Sequence, residues 1–101
     1  MSYGISYTIY NKINEGLFDE SIKLLELNKD KIIEQEYYSL LIRSLLGNKK
    51  YDKVEKILLN FDIKLMKRDY LSYIFKIYNI NKDKSIKIFK IMINKYVLKT
   101  K

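Results

Sequence analysis

Apolar residues recur at spacings of three and four along most of the chain, which is the periodicity of one face of an α-helix. Val54, Ile57, Leu58 and Phe61 form one clear stripe, and a second runs through residues 86–97. No stretch alternates with a period of two for long enough to favour a β-strand. The pattern therefore predicts an all-α fold with six helices, over residues 3–14, 17–28, 33–46, 50–60, 67–79 and 82–98.

Glycine marks two of the predicted helix ends. The chain has no proline, and Gly16 and Gly47 each follow a stretch with helical spacing. A glycine just past a helix can adopt the left-handed conformation at little cost, so we expect both residues to end helices. The predicted connections are short, which favours antiparallel packing of neighbouring helices.

The second helix of each predicted pair resembles the others in sequence. Phe18-Asp19 is echoed by Tyr51-Asp52 33 residues later, and Asp83-Lys84-Ser85-Ile86 is a third copy. The first helices agree at the same spacing, because Tyr37, Ser39 and Arg43 correspond to Tyr70, Ser72 and Lys76. A two-helix unit of this length buries its apolar face only by stacking on its neighbours. We therefore expect one domain, residues 1–101, with repeats over 3–31, 34–62 and 67–98.

The segment Gly16-Leu17-Phe18-Asp19-Glu20-Ser21-Ile22 resembles the second helix of a tetratricopeptide repeat, with Phe and Ser at positions where that family typically has Tyr and Ala. Tyr51-Asp52-Lys53-Val54 keeps the aromatic and acidic residues of the motif. The resemblance implies about three antiparallel α–α hairpins, stacked as a short right-handed solenoid. Pentatricopeptide repeats, which bind RNA, share this architecture and a similar period, so the sequence is compatible with either family.

In such stacks the first helices line a concave groove that binds a partner. Carried over position by position, the resemblance implies that the groove contains Ser39, Arg43, Ser72, Lys76 and Tyr10, with Ser6 beside Tyr10 in the first repeat. Arg43 and Lys76 could together bind a carboxylate or phosphate, with the arginine binding through two nitrogens. The alternative is that they are two ordinary exposed cations.

Positive charge is concentrated in the last third of the chain. The net charge is +8, and residues 67–101 carry ten basic and two acidic side chains, whereas residues 1–66 are nearly balanced. The excess of Lys, Ile, Asn and Tyr is typical of an AT-rich genome, but codon bias would spread lysine evenly. The expected basic face consists of Lys84, Lys87, Lys90 and Lys95. It is either a solvated surface or a site for nucleic acid, an acidic protein or an anionic membrane.

The last predicted helix has an unusually wide apolar arc, and Ile91 and Leu98 lie outside it. Apolar surface at the end of a stack indicates self-association or docking to another protein. An isoleucine-rich composition that leaves some of these side chains exposed is the other interpretation. The aromatic residues predicted to pack between helices are Phe18, Tyr37, Tyr51, Phe61, Tyr70, Phe75 and Phe89.

Composition argues against catalysis. The chain has no histidine and no cysteine, so the commonest general base, metal ligand and nucleophile are all missing. There is also no glycine-rich phosphate loop. We expect a non-enzymatic protein without a cofactor, a metal or a small-molecule substrate. Its start lacks the features of a signal peptide, and no apolar run reaches the roughly 20 residues of a membrane span, so we expect a cytoplasmic location.

Together these features predict an adaptor domain of helical-repeat type that binds a partner protein or forms a homo-oligomer. The alternative is an RNA- or DNA-binding repeat protein that uses the basic last third of the chain.

Overall fold

The computed structural model describes residues 2–96, with the side chains of residues 4–96. The described part contains no β-strand, which confirms the all-α prediction. It has six α-helices: α1 (Ser2–Asn14), α2 (Phe18–Leu27), α3 (Glu34–Gly47), α4 (Tyr51–Leu59), α5 (Lys67–Ile77) and α6 (Lys82–Tyr96). A single 3-10 turn, Lys29–Lys31, follows α2 and was not predicted. The helix bounds agree with the predicted ranges to within about two residues, and the predicted continuation of the last helix to residue 98 lies outside the described residues.

The first and third helices end in the same way. After α1, the Gly16 N–H donates to the Ile13 carbonyl and the Leu17 N–H donates to the Lys12 carbonyl, while Gly16 has a φ of 79°. This pairing is a Schellman motif with glycine at the left-handed position. After α3, Lys49 occupies that position with a φ of 59°, and the Lys50 N–H donates to the Leu45 carbonyl.

The prediction that Gly47 would supply the left-handed residue after α3 is therefore wrong. Gly47 lies inside the last turn of α3, where a Cβ atom would overlap the ring of Phe18. The glycine is needed because the aromatic side chain at the start of α2 lies directly against the backbone of α3.

Each helix packs against the next along the chain, and α3 also contacts α1 and α5. Two clusters of buried side chains result. One, which includes Ile9, Leu25 and Leu40, joins α1, α2 and α3. The larger one joins four helices, α3, α4, α5 and α6. It contains Ile42, Leu45, Leu46, Val54, Leu58, Leu65, Tyr70, Tyr73, Ile74, Ile77, Ile88 and Met92. Because α3 contributes to both clusters, it forms the centre of the fold.

Two buried polar contacts connect α3 to its neighbours. The hydroxyl oxygens of Ser21 and Ser44 lie 2.7 Å apart between α2 and α3, and each also lies within hydrogen-bonding distance of a carbonyl oxygen of its own helix. On the other side of α3, the Ser39 hydroxyl donates to the buried carboxylate of Asp69 in α5, at 2.8 Å. The second carboxylate oxygen of Asp69 accepts the Met66 N–H at 2.9 Å and so caps α5.

The aromatic residues divide into two groups. Tyr37 and Tyr70 are buried, as predicted, and Phe18 and Tyr51 are half-buried. The prediction is wrong for Phe61, Phe75 and Phe89, whose side chains are exposed. Phe61 follows the end of α4 in a turn, while Phe75 and Phe89 lie on a side of α5 and α6 that none of the described helices covers.

Candidate functional site

A cavity of about 380 Å³ opens between α1, α3 and α5. It is lined by Ser6, Tyr7, Tyr10, Glu36, Ser39, Leu40, Arg43 and Arg68. The lining side chains all come from the first helices of the three predicted pairs. Helix α1 supplies three of them, α3 supplies four and α5 supplies one. We call this cavity the groove.

Three of the five predicted groove residues line it. Tyr10 and Arg43 face each other across α1 and α3, and the guanidinium carbon of Arg43 lies 5.7 Å from the centre of the Tyr10 ring. Such a cation–π contact orients the arginine while leaving its N–H groups free to bind an anion. Ser39 also borders the groove, but its hydroxyl donates to Asp69 and serves the contact between α3 and α5.

The other two predicted groove residues lie elsewhere. Ser72 and Lys76 are exposed on α5 and do not line the groove. The Ser72 hydroxyl donates to the carbonyl of Arg68 one turn earlier, at 2.8 Å. Arg68 is the residue of α5 that reaches the groove, so the second cation beside Arg43 is Arg68 and not Lys76.

Arg68, Glu36 and Tyr7 are groove residues that the sequence analysis missed. Arg68 precedes Ser72 by four residues and therefore lies on the same helix face, which was the available signal. Aligning α5 with α3 at a spacing of 33 residues did not reveal Arg68, because the corresponding residue of α3 is Gln35, which is uncharged. Tyr7 corresponds at that spacing to Leu40, which is buried.

The groove carries a net positive charge. Arg43 and Arg68 contribute two permanent cations, and Glu36 is the one acidic side chain among the lining residues. All three are exposed, so their interactions are screened by water and salt. The buried hydroxyl of Ser6 has no hydrogen-bond partner among the described residues. These groups can together bind an anionic and hydrogen-bonding ligand such as a carboxylate.

Two members of the expected basic face are engaged within the fold. The ammonium group of Lys84 lies 3.1 Å from a carboxylate oxygen of Glu55 and 3.7 Å from one of Asp52, so it connects α6 to α4. The hydrogen bond with Glu55 is the main cause of the raised pKa of Lys84. Lys95 donates to the Tyr70 hydroxyl at 3.1 Å.

Lys95 lies over three aromatic rings. Its ammonium nitrogen is 5.5 to 5.6 Å from the ring centres of Phe61, Tyr70 and Tyr96. Burial lowers the pKa of Lys95, and burial together with the nearby Tyr70 and Asp69 raises the pKa of Tyr96 to about 12. The lysine is thus part of a packed cluster that holds the end of α6 against α5.

The remaining members of the basic face are exposed. Lys87 and Lys90 form no ion pair with any described residue and project from the same side of α6. Ile91, which we predicted as part of an apolar docking face, is partly buried and packs against the larger core cluster. Leu98, the other member of that predicted face, lies outside the described residues.

The described part of the chain, residues 2–96, has neither a cluster of side chains that could hold a metal ion nor a helix that could span a membrane. No three carboxylate, imidazole or thiol side chains meet in this part of the chain as a metal site would require. None of its helices has both the length and the apolar character that crossing a membrane demands.

Comparison with known proteins finds no matching family model, no matching curated protein and no matching solved structure.

Proposed function

We propose that this chain is a non-catalytic protein–protein interaction domain of helical-repeat type, whose groove binds a carboxylate-bearing segment of a partner protein. The observation that carries the proposal is the groove itself, in which Arg43 from α3 and Arg68 from α5 border one cavity together with Tyr10 from α1. Arginine binds carboxylates through paired N–H donors, and tyrosine provides both an apolar surface and a hydroxyl.

The repeat interpretation takes the helix pairs α1–α2, α3–α4 and α5–α6 as equivalent units. It is supported by the contacts that α3 makes with both α1 and α5, the first helices of the other two pairs. The left-handed residues Gly16 and Lys49 are 33 residues apart, as the repeat requires. Ser21 and Val54, aligned at the same spacing near the starts of α2 and α4, are both fully buried.

A segment of extended chain fits the groove better than a small molecule does. The groove is open and is lined along three helices, and its charged groups are exposed, whereas small-molecule pockets enclose most of their ligand. Glu36 disfavours a uniformly acidic ligand, because it would repel a second negative charge placed next to it. The ligand we expect therefore has one or two carboxylates near the arginines and an apolar side chain near Tyr10.

Binding of a short synthetic peptide tests this function. The probe is a short fluorescent peptide that carries one Glu, one Leu and a free terminal carboxylate among neutral residues, and binding is followed by fluorescence anisotropy. Replacing both arginines (R43Q and R68Q) should weaken binding about tenfold or more, since two charge-assisted contacts are lost. The matched control replaces two exposed lysines of α4 (K53Q and K56Q), which lowers the net charge equally away from the groove. Equal weakening by both pairs would contradict the proposal.

The second candidate function is nucleic-acid binding, favoured by the concentration of positive charge in residues 67–101 and by the exposure of Lys87 and Lys90. The engagement of Lys84 and Lys95 inside the fold leaves a smaller basic surface than the sequence suggested. Phosphate contacts make affinity fall steeply with salt concentration. If this function holds, a single-stranded RNA oligonucleotide should bind in a salt-dependent way and lose affinity when both lysines are replaced (K87Q and K90Q).

A further inference from the structure

An apolar surface separate from the groove lies on α5 and α6, the last two helices of the fold. Phe75 of α5, Tyr78 directly after its end, and Ile86 and Phe89 of α6 are all exposed and border a cavity of about 420 Å³. We call these four residues the end face. Ser85 also lines the cavity, but its hydroxyl donates to the Ile74 carbonyl at 3.0 Å, so the end face offers a ligand apolar contacts.

The positions of Phe75 and Tyr78 are buried in the preceding helix pair, where Ile42 and Leu45 occupy them. Ile9, Ile42 and Phe75 follow one another at intervals of 33 residues, and their side chains are 0%, 1% and 72% exposed. Leu45 and Tyr78 show the same contrast at that interval, with 6% and 47% exposed. Four large apolar side chains exposed next to one another are typical of an interaction surface, because exposed apolar side chains without such a role are usually scattered singly.

At the positions equivalent to Phe75, the buried side chains of Ile9 and Ile42 are each covered by a helix. Ile9 packs in a cluster with Leu40 of α3, and Ile42 packs in a cluster with Tyr73 of α5. A first helix thus covers the pair that precedes it. By this equivalence the shape of the end face fits a helix with an apolar stripe, which is a common form of protein recognition.

The charged residues of α5 and α6 indicate what kind of partner helix the end face would bind. Lys82, Lys87 and Lys90 are exposed on α6 and Lys76 is exposed on α5, while Asp83 is the one exposed acid of α6. The ammonium group of Lys82 lies 5.7 Å from the centre of the Tyr78 ring, directly beside the apolar surface. Two copies of this chain joined through their end faces would bring their Lys82 side chains towards each other, and like charges oppose such pairing.

We propose that the end face binds an amphipathic helix of a separate partner protein, in which an apolar stripe is flanked by Asp and Glu residues. This inference rests on the helix-pair equivalence in the proposed function but uses a different surface from the groove. The apolar stripe would cover Phe75 and Phe89, and the flanking acids would pair with Lys82 and Lys90. The two surfaces can therefore be tested independently of each other.

The experiment uses the whole 101-residue chain and two synthetic peptides of about 18 residues, long enough to form a helix. Both carry the same leucine stripe, and the flanking residues are Glu in one peptide and Lys in the other. Binding is measured by fluorescence anisotropy and located by chemical-shift changes in ¹⁵N–¹H spectra. We expect the Glu peptide to bind about tenfold or more tightly than the Lys peptide, with shifts concentrated in α5 and α6.

Variants at exposed positions complete the test. Replacing Phe75 and Phe89 by alanine should weaken the Glu peptide about tenfold or more, because aromatic contacts dominate such interfaces. The matched control replaces Leu27 and Ile33, which are 70% and 69% exposed elsewhere on the surface, and should leave affinity unchanged. The R43Q and R68Q pair should also bind the Glu peptide normally, so loss of groove binding and loss of end-face binding are separable.

Any of four results would overturn the proposal. The Glu peptide could fail to bind, both peptides could bind equally, or the phenylalanine substitutions could have no more effect than the control. A dimer of the chain alone that dissociates on replacement of Phe75 and Phe89 would also overturn it, because the occupant would then be a second copy. Circular dichroism of each variant ensures that a loss of binding reflects the surface and not the fold.

Discussion

Gly16 and Lys49 adopt the same left-handed backbone conformation at the ends of α1 and α3, 33 residues apart. Each donates its N–H to a carbonyl three residues earlier, so the two turns are hydrogen-bonded alike. Only one of them has the residue that tolerates this conformation without cost. The turn geometry is therefore set by the packing of the helices and not by glycine alone.

Replacing Lys49 by glycine should stabilise the fold. The left-handed conformation costs a side-chain-bearing residue about 1 kcal/mol, of which part is offset by the greater freedom of glycine in the unfolded chain. We expect a gain of about 0.5 kcal/mol in the free energy of unfolding, measured by urea denaturation. As a control, glycine at Lys53, which is exposed inside α4, should destabilise the fold by about 1 kcal/mol. Destabilisation by K49G would contradict the turn assignment.

Gly47 and Phe18 should be energetically coupled. Alanine at position 47 gains helix propensity worth about 1 kcal/mol, but its methyl group overlaps the Phe18 ring. We expect G47A to stabilise a protein that already carries F18A, and to lose this gain in the wild type. A double-mutant cycle from denaturation curves measures the coupling, which should exceed about 0.5 kcal/mol. Additive effects would show that the ring does not occupy this place.

The buried carboxylate of Asp69 should be important for stability. It accepts hydrogen bonds from the Ser39 hydroxyl and from the Met66 N–H, so D69A loses both a link to α3 and the cap of α5. We expect a loss of about 2–3 kcal/mol in the free energy of unfolding. Alanine at the exposed Asp62 is the control and should change stability by about 0.5 kcal/mol or less. A loss from D69A no larger than this would refute the assignment.

Alkaline pH should destabilise the packed cluster at the end of α6. The pKa of Tyr96 is raised to about 12, mainly by burial, whereas an unfolded tyrosine titrates near 10. The folded protein then holds this proton more tightly than the unfolded chain, so stability falls as the pH rises from 10 to 12. Lys95, whose pKa is lowered, contributes in the opposite direction over its own range.

The comparison with Tyr96→Phe isolates this contribution. The variant lacks the ionisable hydroxyl and also the hydrogen bond that this hydroxyl donates to the Leu65 carbonyl. It should therefore be less stable than the wild type at neutral pH, and the difference should shrink between pH 10 and pH 12. Denaturation at a series of pH values measures both effects. A difference that stays constant across this range would contradict the raised pKa.

The helices were predictable from the sequence because their apolar spacing is local information. The stripe from Val54 to Leu58 specifies which side of α4 is buried without reference to other helices. The groove residues Tyr10 and Arg43 could be predicted by carrying the resemblance to helical repeats over at the 33-residue spacing. Arg68 could not be found in this way, since its counterpart in α3 is Gln35.

Other features depend on contacts between distant residues, which the sequence pattern does not contain. Ser39 is part of a buried hydrogen bond because Asp69, 30 residues away, lies opposite it. Lys84 and Lys95 belong by sequence to a basic stretch. In the fold, however, Lys84 pairs with Glu55 and Lys95 packs over the ring of Tyr70. The exposure of Phe75 follows from the order of the helices and not from its own periodicity.

Whether the groove binds a protein segment can be decided by a single titration. A ¹⁵N-labelled sample of the chain is titrated with the Glu–Leu peptide and, separately, with a single-stranded RNA oligonucleotide at the same salt concentration. If the groove binds a protein segment, we expect saturable shifts for the peptide, centred on Tyr10, Arg43 and Arg68, and no saturable shifts for the RNA. Saturable RNA shifts centred on Lys87 and Lys90, with none from the peptide, would contradict it.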